Sequence, residues 1–328
     1  MVTRALAACA IALAWGCGSF QDPNVVVDLR ILAMSSSPPD QVLDIDLTQP
    51  PMAADLLAKL VPTEVCALIA DPALDRRLLW SMTMCSGTAG GRCGVDDEVP
   101  IGGGLLDDPD ATVPEPRMCV TIRPDAKLLG VLLQWLNNDS LHGLGGVDYS
   151  VQLRVGGEDG DRELDQYASK TVRVAPRIPM ARAANNNPTA QFEAAFEDQP
   201  GMPLALGRCP EASSPLTVAP RTKLRLTPIE PDGAREVYVV PTLDGKSQTF
   251  TESLTYQWIA SSGGFSSGST GGPRDVSGNP APLFTDFTAP APEDLETLDG
   301  PTDITVWIIQ RDERLGETWY ESCIRVMP

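Results

Sequence analysis

The segment Gly264-Phe265-Ser266-Ser267-Gly268 matches the Gly-x-Ser-x-Gly pattern of a nucleophile elbow, whose serine attacks a carbonyl carbon. In that arrangement a histidine later in the chain accepts the serine proton. The only histidine, His142, comes earlier in the chain. We therefore interpret residues 261–272 as a flexible Ser/Gly-rich loop and place His142 in a polar turn. This pattern predicts no catalytic residue.

A phosphate-binding loop is also incomplete in this sequence. Gly245-Lys246-Ser247 resembles the end of such a loop, but Val240 stands where its first glycine must be. The formal net charge of the chain is −19, whereas phosphate contacts depend on clustered lysine and arginine. This charge excludes nucleic acid as a natural partner and argues against adhesion to anionic lipid headgroups. We expect no organic cofactor.

Calcium is the small ion that the acidic residues favour. Four of them gather hard oxygen ligands in one turn: Glu158, Asp159, Asp161 and Glu163. A second acidic cluster consists of Asp107, Asp108 and Asp110. Neither has the spacing of an EF-hand. The alternative interpretation of the first cluster is an acidic hairpin tip that keeps the surface soluble.

The first residues predict where the protein is located in the cell. Arg4 supplies a positive charge and residues 5–15 are mostly apolar, which is typical of a secretory signal and too short for a membrane-spanning helix. Ala14-Trp15-Gly16-Cys17 resembles the lipobox of bacterial lipoproteins, which are cut before a cysteine that receives the lipid. Leu6-Ala7-Ala8-Cys9 is a closer local match, but it has almost no apolar region ahead of it. We predict cleavage after residue 16 and a palmitate-bearing lipid on Cys17.

The lipobox resemblance also implies which of the two bacterial membranes holds the protein. Gly18 follows the lipidated cysteine, whereas retention in the inner membrane usually needs an aspartate there, so the resemblance implies the outer membrane. Whether the chain faces the periplasm or the outside stays open. Residues 17–24 form a tether whose seven residues after Cys17 reach at most about 25 Å. We therefore expect the first domain to lie close to the membrane.

The six remaining cysteines are expected to form disulfides, because the chain is exported and contains no Cys-x-x-Cys pair. Cys209 and Cys323 are the only two in the second half of the chain, so they pair by elimination. The first half contains four, which allow three pairings. We favour Cys85 with Cys93 across a Gly-rich turn, and Cys66 with Cys119 between two strands.

The length and the density of turn residues predict two β-domains. Thirty prolines and 28 glycines in 328 residues favour short strands over long helices. We place the first domain at residues 25–176, a linker at 177–188 and the second domain at 189–328, after the signal peptide at 1–16. The linker contains Asn185-Asn186-Asn187-Pro188 and has no apolar periodicity.

Apolar and polar residues alternate in segments that we predict as strands. The alternating ones are 78–85, 149–155, 170–174 and 254–258. The opening segment 25–32 is predicted as a strand because it is rich in β-branched residues, and 304–310 and 318–326 are predicted as the two closing strands. Two segments have helical spacing, 53–60 and 127–137. The Gly- and Asp-rich segment 86–116 is predicted as irregular. Each half then has a central strand that carries a tryptophan, Trp80 or Trp258, and ends in a hairpin.

Strands at this spacing are typical of immunoglobulin-like (Ig-like) sandwiches. The chain resembles uncharacterised tandem Ig-like lipoproteins of myxobacteria-type genomes, in its opening segment 27–33 followed by Pro38-Pro39 and in Leu254-Thr255-Tyr256-Gln257-Trp258. The resemblance covers most of the mature chain and implies a fold and a location, without an activity.

We therefore expect a membrane-anchored, non-enzymatic binding or structural module that contacts an envelope protein or a glycan through its loops. The segment 261–292 offers three aromatic contacts: Phe265, Phe284 and Phe287. The alternative for these rings is packing onto the sandwich. The alternative functions are a polysaccharide hydrolase that uses paired carboxylates and a subunit of an envelope assembly.

Overall fold

The computed structural model describes residues 22–45, 52–72, 77–86, 93–94, 97–106, 117–139, 143, 145–158, 160, 164–242, 244–295 and 300–327. Over these residues the fold is all-β, with two sandwiches and two short α-helices in the first half. Several predicted residues lie outside the described ones: the signal peptide, Cys9, Cys17, His142 and the cluster Asp107, Asp108 and Asp110.

The first half has two sheets, with strand orders β1-β3-β6 and β2-β8-β7-β4-β5. Its elements are β1 (Arg30–Ser37), β2 (Asp40–Leu43), α1 (Ala53–Lys59), β3 (Thr63–Ala70), β4 (Leu78–Ser86), β5 (Val99–Leu106), β6 (Arg117–Ile122), α2 (Ala126–Asn138), β7 (Val147–Gly157) and β8 (Gln166–Pro176).

The second half has two five-stranded sheets, β10-β9-β12-β18-β16 and β11-β20-β19-β15-β17, and a separate hairpin, β13-β14. Its strands are β9 (Gln191–Phe196), β10 (Met202–Pro203), β11 (Leu216–Val218), β12 (Lys223–Ile229), β13 (Val237–Pro241), β14 (Ser247–Thr251), β15 (Thr255–Ala260), β16 (Gly264–Phe265), β17 (Ser269–Gly271), β18 (Thr285–Thr288), β19 (Thr302–Arg311) and β20 (Glu317–Val326).

Both halves pair an early strand in parallel with their last strand: β2 with β8, and β11 with β20. The other strand pairs in these two sheets are antiparallel. The repeated order shows that the halves share one Ig-like plan. The hairpin β13-β14 is an addition to the second half, between β12 and β15.

The predicted alternation is confirmed in β7, where Tyr149, Val151, Leu153 and Val155 are fully buried. Both predicted helices are also present. The longer one, α2, begins after Asp125, whose carboxylate accepts hydrogen bonds from the first-turn N–H groups. Its apolar face buries Leu128, Val131 and Leu132 against the first sandwich.

Two sequence predictions about the first half are wrong. The segment 86–116 contains strand β5, in which Gly102 faces Trp80 of β4. A Cβ at Gly102 would lie 2.6 Å from Val120 and 3.3 Å from the indole, so the glycines make room for that ring. The opening strand begins at Arg30 instead of Val25, because Val25 forms a bridge with Ala260 of the second half.

The described cysteines form three disulfides, in the pairing that the sequence favoured: Cys66–Cys119, Cys85–Cys93 and Cys209–Cys323. Cys66 and Cys119 lie opposite each other on β3 and β6. Cys209–Cys323 ties the segment before β11 to the last strand. Each disulfide therefore joins two segments of the same half.

The two halves pack side by side through a small apolar cluster, separate from the core of each sandwich. The first half contributes Val26, Leu32, Ala33, Leu68 and Ala70, and the second contributes Ile259, Trp307 and Ile309. Because these residues lie on outward sheet faces, the strands that carry them are buried on both sides. Neither helix of the described residues has the length and hydropathy needed to cross a membrane.

Candidate binding cleft between the two halves

The segment 177–188 connects the halves as an ordered, hydrogen-bonded strip. Asn185 donates from its backbone N–H to the Asp40 carboxylate (2.6 Å) and from its side chain to Asp312 and to the Arg314 carbonyl (2.9 and 3.0 Å). Asn187 donates to the carbonyl of Ser36 and accepts from the backbone N–H of Glu317. These asparagines bridge both halves, a role that the sequence analysis missed.

A cleft of about 430 Å³ opens beside this strip. One wall comes from Asp40 on β2 and Arg173 on β8, and the opposite wall comes from β13 and the turn between β19 and β20. The strip supplies Arg182 and Ala183. Its volume lies within the range of small-ligand sites.

Three arginines line the cleft, and two of them have carboxylate partners. Arg173 forms a two-pronged pair with Asp148, with N···O distances of 2.7 and 2.8 Å. Arg314 bonds to Glu252 at 3.1 Å and to Glu236 at 3.3 Å. Among the described residues, Arg182 has no ion pair and its guanidinium makes no hydrogen bond.

The charges around Arg182 do not compensate for the burial of its guanidinium. Burial lowers the pKa of Arg182, and repulsion from Arg173 and Arg314 adds to this, against the attraction of Asp40. Burial also raises the pKa of Asp40, although its hydrogen bond from Asn185 and the three arginines act in the opposite direction. The cleft therefore contains a cation whose charge is incompletely matched by the protein.

The turn between β19 and β20 is held rigidly. The Asp312 carboxylate accepts from the backbone N–H groups of Arg314 and Gly316, at 2.7 and 2.8 Å. Leu315 has φ +79°, a left-handed conformation that is unusual for a leucine. Its carbonyl accepts a hydrogen bond from Lys170 of the first half at 2.7 Å. The first half thus helps to hold this strained turn beside the cleft.

The hairpin β13-β14 forms the remaining wall, and no described strand pairs with the outer edge of β13. The N–H of Glu252 bonds to the Glu236 carbonyl, and the N–H of Thr242 bonds to the Lys246 carbonyl. Because antiparallel pairs alternate, the backbone groups of Val237 and Val239 point away from β14. Val239 also lines the cleft, so the unpaired backbone edge of β13 at this residue borders the space that a ligand would occupy.

The aromatic residues of segment 261–292 do not form one contact surface. Phe287 is fully buried in the second core, and Phe265 packs on it with 5.2 Å between ring centroids. Only Phe284 stays exposed, with the Arg225 guanidinium 3.9 Å from its centroid. The loop interpretation of 261–272 is also corrected, because β16 and β17 lie within it. Ser266 accepts from the Asp286 N–H there.

Of the four residues predicted to bind calcium, one lies among the described residues. Glu158 pairs with Arg77 at 2.9 Å, while Asp159, Asp161 and Glu163 lie outside the described residues. In the described part of the chain, the one group of possible ligand atoms close enough to share an ion is Glu64, Cys66 and Cys119. Its two sulfurs are joined in a disulfide, so they are not available as thiolate ligands.

The two carboxylates that line the cleft are engaged within the protein. Asp40 accepts from Asn185, and Glu313 accepts from Tyr238 and Ser253, each at 2.8 Å. The phosphate-loop resemblance at 245–247 lies at the tip of the hairpin β13-β14, where Gly245 has φ +79°. The residues of the cleft favour binding of an anion.

Comparisons with known proteins add little. No protein-family model and no curated protein matches the sequence. Among solved structures, the chain is similar to AggA, the major subunit of aggregative adherence fimbriae type I from Escherichia coli. The two share 13% identity over 47% of this chain and 99% of that subunit, with a TM-score of 0.21. That score is too low to carry an argument about fold or function.

Proposed function

We propose that the chain is an outer-membrane lipoprotein that acts as a non-enzymatic binding module of the cell envelope. The observation that carries this proposal is the cleft between two packed halves, which exposes Arg182 to a ligand while the other two arginines are paired. Because Arg182 is half-buried and its charge is incompletely matched by the protein, an anionic ligand would gain a charge-assisted hydrogen bond there.

The lipid is proposed to hold the second half, as well as the first, near the membrane. Val26 donates to the Ala260 carbonyl and Ala260 donates to the Asn24 carbonyl, each at 2.9 Å. Asn24 also lies against Gly268, where a Cβ would collide with its side chain. Because only about 18 Å of extended chain separates Cys17 from Asp22, this edge of the second half would lie close to the lipid.

With this anchor, the cleft would lie at the opposite end of strand β15 from the lipid. Strand β15 begins at Thr255, which pairs with Arg311 next to the cleft turn, and ends at Ala260 beside the N-terminal segment. Five residue steps along a strand span about 17 Å. A partner could therefore reach the cleft from the side opposite the lipid.

Metabolic labelling with radioactive palmitate tests the anchor. We expect the wild-type chain and Cys9→Ser to incorporate label, and Cys17→Ser to lose both label and membrane association. Label that persists in Cys17→Ser and disappears in Cys9→Ser would contradict the predicted cleavage site. Absence of label from the wild type would reject the lipoprotein assignment.

A second candidate function, a subunit of an envelope assembly, is favoured by the hairpin β13-β14. Val237 is 65% exposed and Phe250 is 38% exposed on this hairpin. If the hairpin joins copies or other subunits, Val237→Ser combined with Phe250→Ser will release the protein from large complexes in sedimentation of detergent-solubilised membranes. Unchanged sedimentation would reject this candidate.

A further inference from the structure

The ligand chemistry of the cleft follows from three features that face the same space. Arg182 offers a planar guanidinium, which pairs with a carboxylate through two parallel hydrogen bonds. The edge of β13 at Val239 offers one backbone donor and one acceptor to an extended chain. Val240, Pro241 and Leu315 supply apolar surface between them.

We propose that the cleft binds the C-terminal segment of an apolar peptide, whose terminal carboxylate pairs with Arg182 while its backbone adds to the open edge of β13. This inference rests on the proposal that the chain is a binding module, and it names the class of partner. Strand addition at an open edge and capture of a terminal carboxylate are known modes of peptide recognition.

An acidic glycan fits the cleft less well. Sugar rings pack on exposed aromatic faces, and Tyr238 is the one aromatic residue among those that line the cleft in the described structure. Phe250 stacks on this ring with 5.5 Å between centroids, and the Arg314 guanidinium lies 4.8 Å from its centroid. Because these neighbours cover the ring, the cleft presents no aromatic platform.

Arg182 is a binding group whose loss should leave the fold intact. Its side chain makes no hydrogen bond or ion pair among the described residues, whereas Arg173 and Arg314 each form an ion pair within their own wall of the cleft. Arg182→Gln therefore separates binding from folding. Arg221→Gln is a matched control, because Arg221 is an exposed arginine paired with Glu293 on another surface.

The test uses calorimetric titration of the full lipidated chain in detergent, and of the full chain carrying Cys17→Ser. The probes are acetyl-Thr-Val-Thr-Val with a free carboxylate, the same peptide as its C-terminal amide, and trigalacturonate. A hydrogen-bonded charge pair is worth about 1.5–3 kcal/mol, so we expect the free acid to bind about ten- to a hundredfold more tightly than the amide.

Arg182→Gln should abolish the difference between acid and amide, Arg182→Lys should retain part of it, and Arg221→Gln should retain all of it. Equal binding of acid and amide, no binding of the acid at millimolar concentration, or Arg182-dependent binding of trigalacturonate alone would overturn the inference. If palmitate labelling fails, the lipid anchor is rejected, but the titration results still stand. The two proposals can therefore be rejected independently of each other.

Discussion

The junction between the two halves has two sides of opposite character. On one side Trp307, Ile309 and Leu68 close against each other with almost no exposed surface. On the other side Asn185 and the arginines line an open cleft. The apolar side can set the angle between the sandwiches. The polar side therefore keeps a fixed shape without being filled by side chains.

The largest expected effect comes from breaking the apolar side. Trp307→Ala removes a large ring that is only 8% exposed, and such truncations cost about 3–5 kcal/mol. We expect the free energy of unfolding, measured in urea, to fall by this amount and the cleft to lose its ligand affinity. Phe284→Ala, at a ring that is 39% exposed, is the control and should cost less than about 1 kcal/mol. Equal losses would show that Trp307 does not fix the junction.

The second effect concerns the polar side. Asn185 is 2% exposed and its side chain donates to Asp312 and to the Arg314 carbonyl, so Asn185→Ala removes two hydrogen bonds to half-buried acceptors. We expect a loss of about 2 kcal/mol in urea unfolding. The neighbouring Asn186 is exposed and donates to Glu236, so Asn186→Ala should change stability by less than about 0.5 kcal/mol. If the two variants are alike, the strip does not bridge the halves as described.

The sequence predicted the elements of each half better than it predicted the junction. Strand β7 was predictable because one of its faces is buried and the other is not, which gives a period of two. Strand β5 was not, because Gly102 is selected by the space that Trp80 needs, and no local pattern records that need. The disulfide of the second half was predictable because only two cysteines were available there.

The cleft was hidden from the sequence for a different reason. Asn185 and Arg182 lie in a segment that has no periodicity, and the hydrogen bonds from Asn185 to Asp40 and Asp312 join residues more than a hundred positions apart. Polar residues in such a segment are typical of a solvated linker. The run of three asparagines was the one available signal, because buried asparagines make several hydrogen bonds at once.

The polar side of the junction should also make the free energy of unfolding depend on pH. Burial raises the pKa of Glu252 to about 7, and the folded state therefore holds its proton more tightly than the unfolded state does. The resulting stability is present below about pH 4.5 and is lost as the pH rises through 7, by at most about 1.4 kcal/mol per pH unit. Glu252→Gln should remove this decline in urea titrations between pH 5 and pH 8.

Glu293→Gln is the control for that titration, because Glu293 is exposed and its hydrogen bonds lower its pKa instead. It should leave the decline between pH 5 and pH 7 in place. An unchanged decline in Glu252→Gln would show that the carboxylate is accommodated by Arg314 without a cost.

The smallest expected effect distinguishes the arginines of the cleft from one another. Arg173→Gln breaks a two-pronged pair with Asp148 that is partly exposed, so it should lower the free energy of unfolding by about 1 kcal/mol. Arg182→Gln breaks no pair and removes a cation that burial and two neighbouring arginines disfavour. Its stability should therefore lie within about 0.5 kcal/mol of the wild type, or above it. A loss as large as that of Arg173→Gln would mean that Arg182 holds the walls together, and its place in the cleft would then be explained by folding instead of by a ligand.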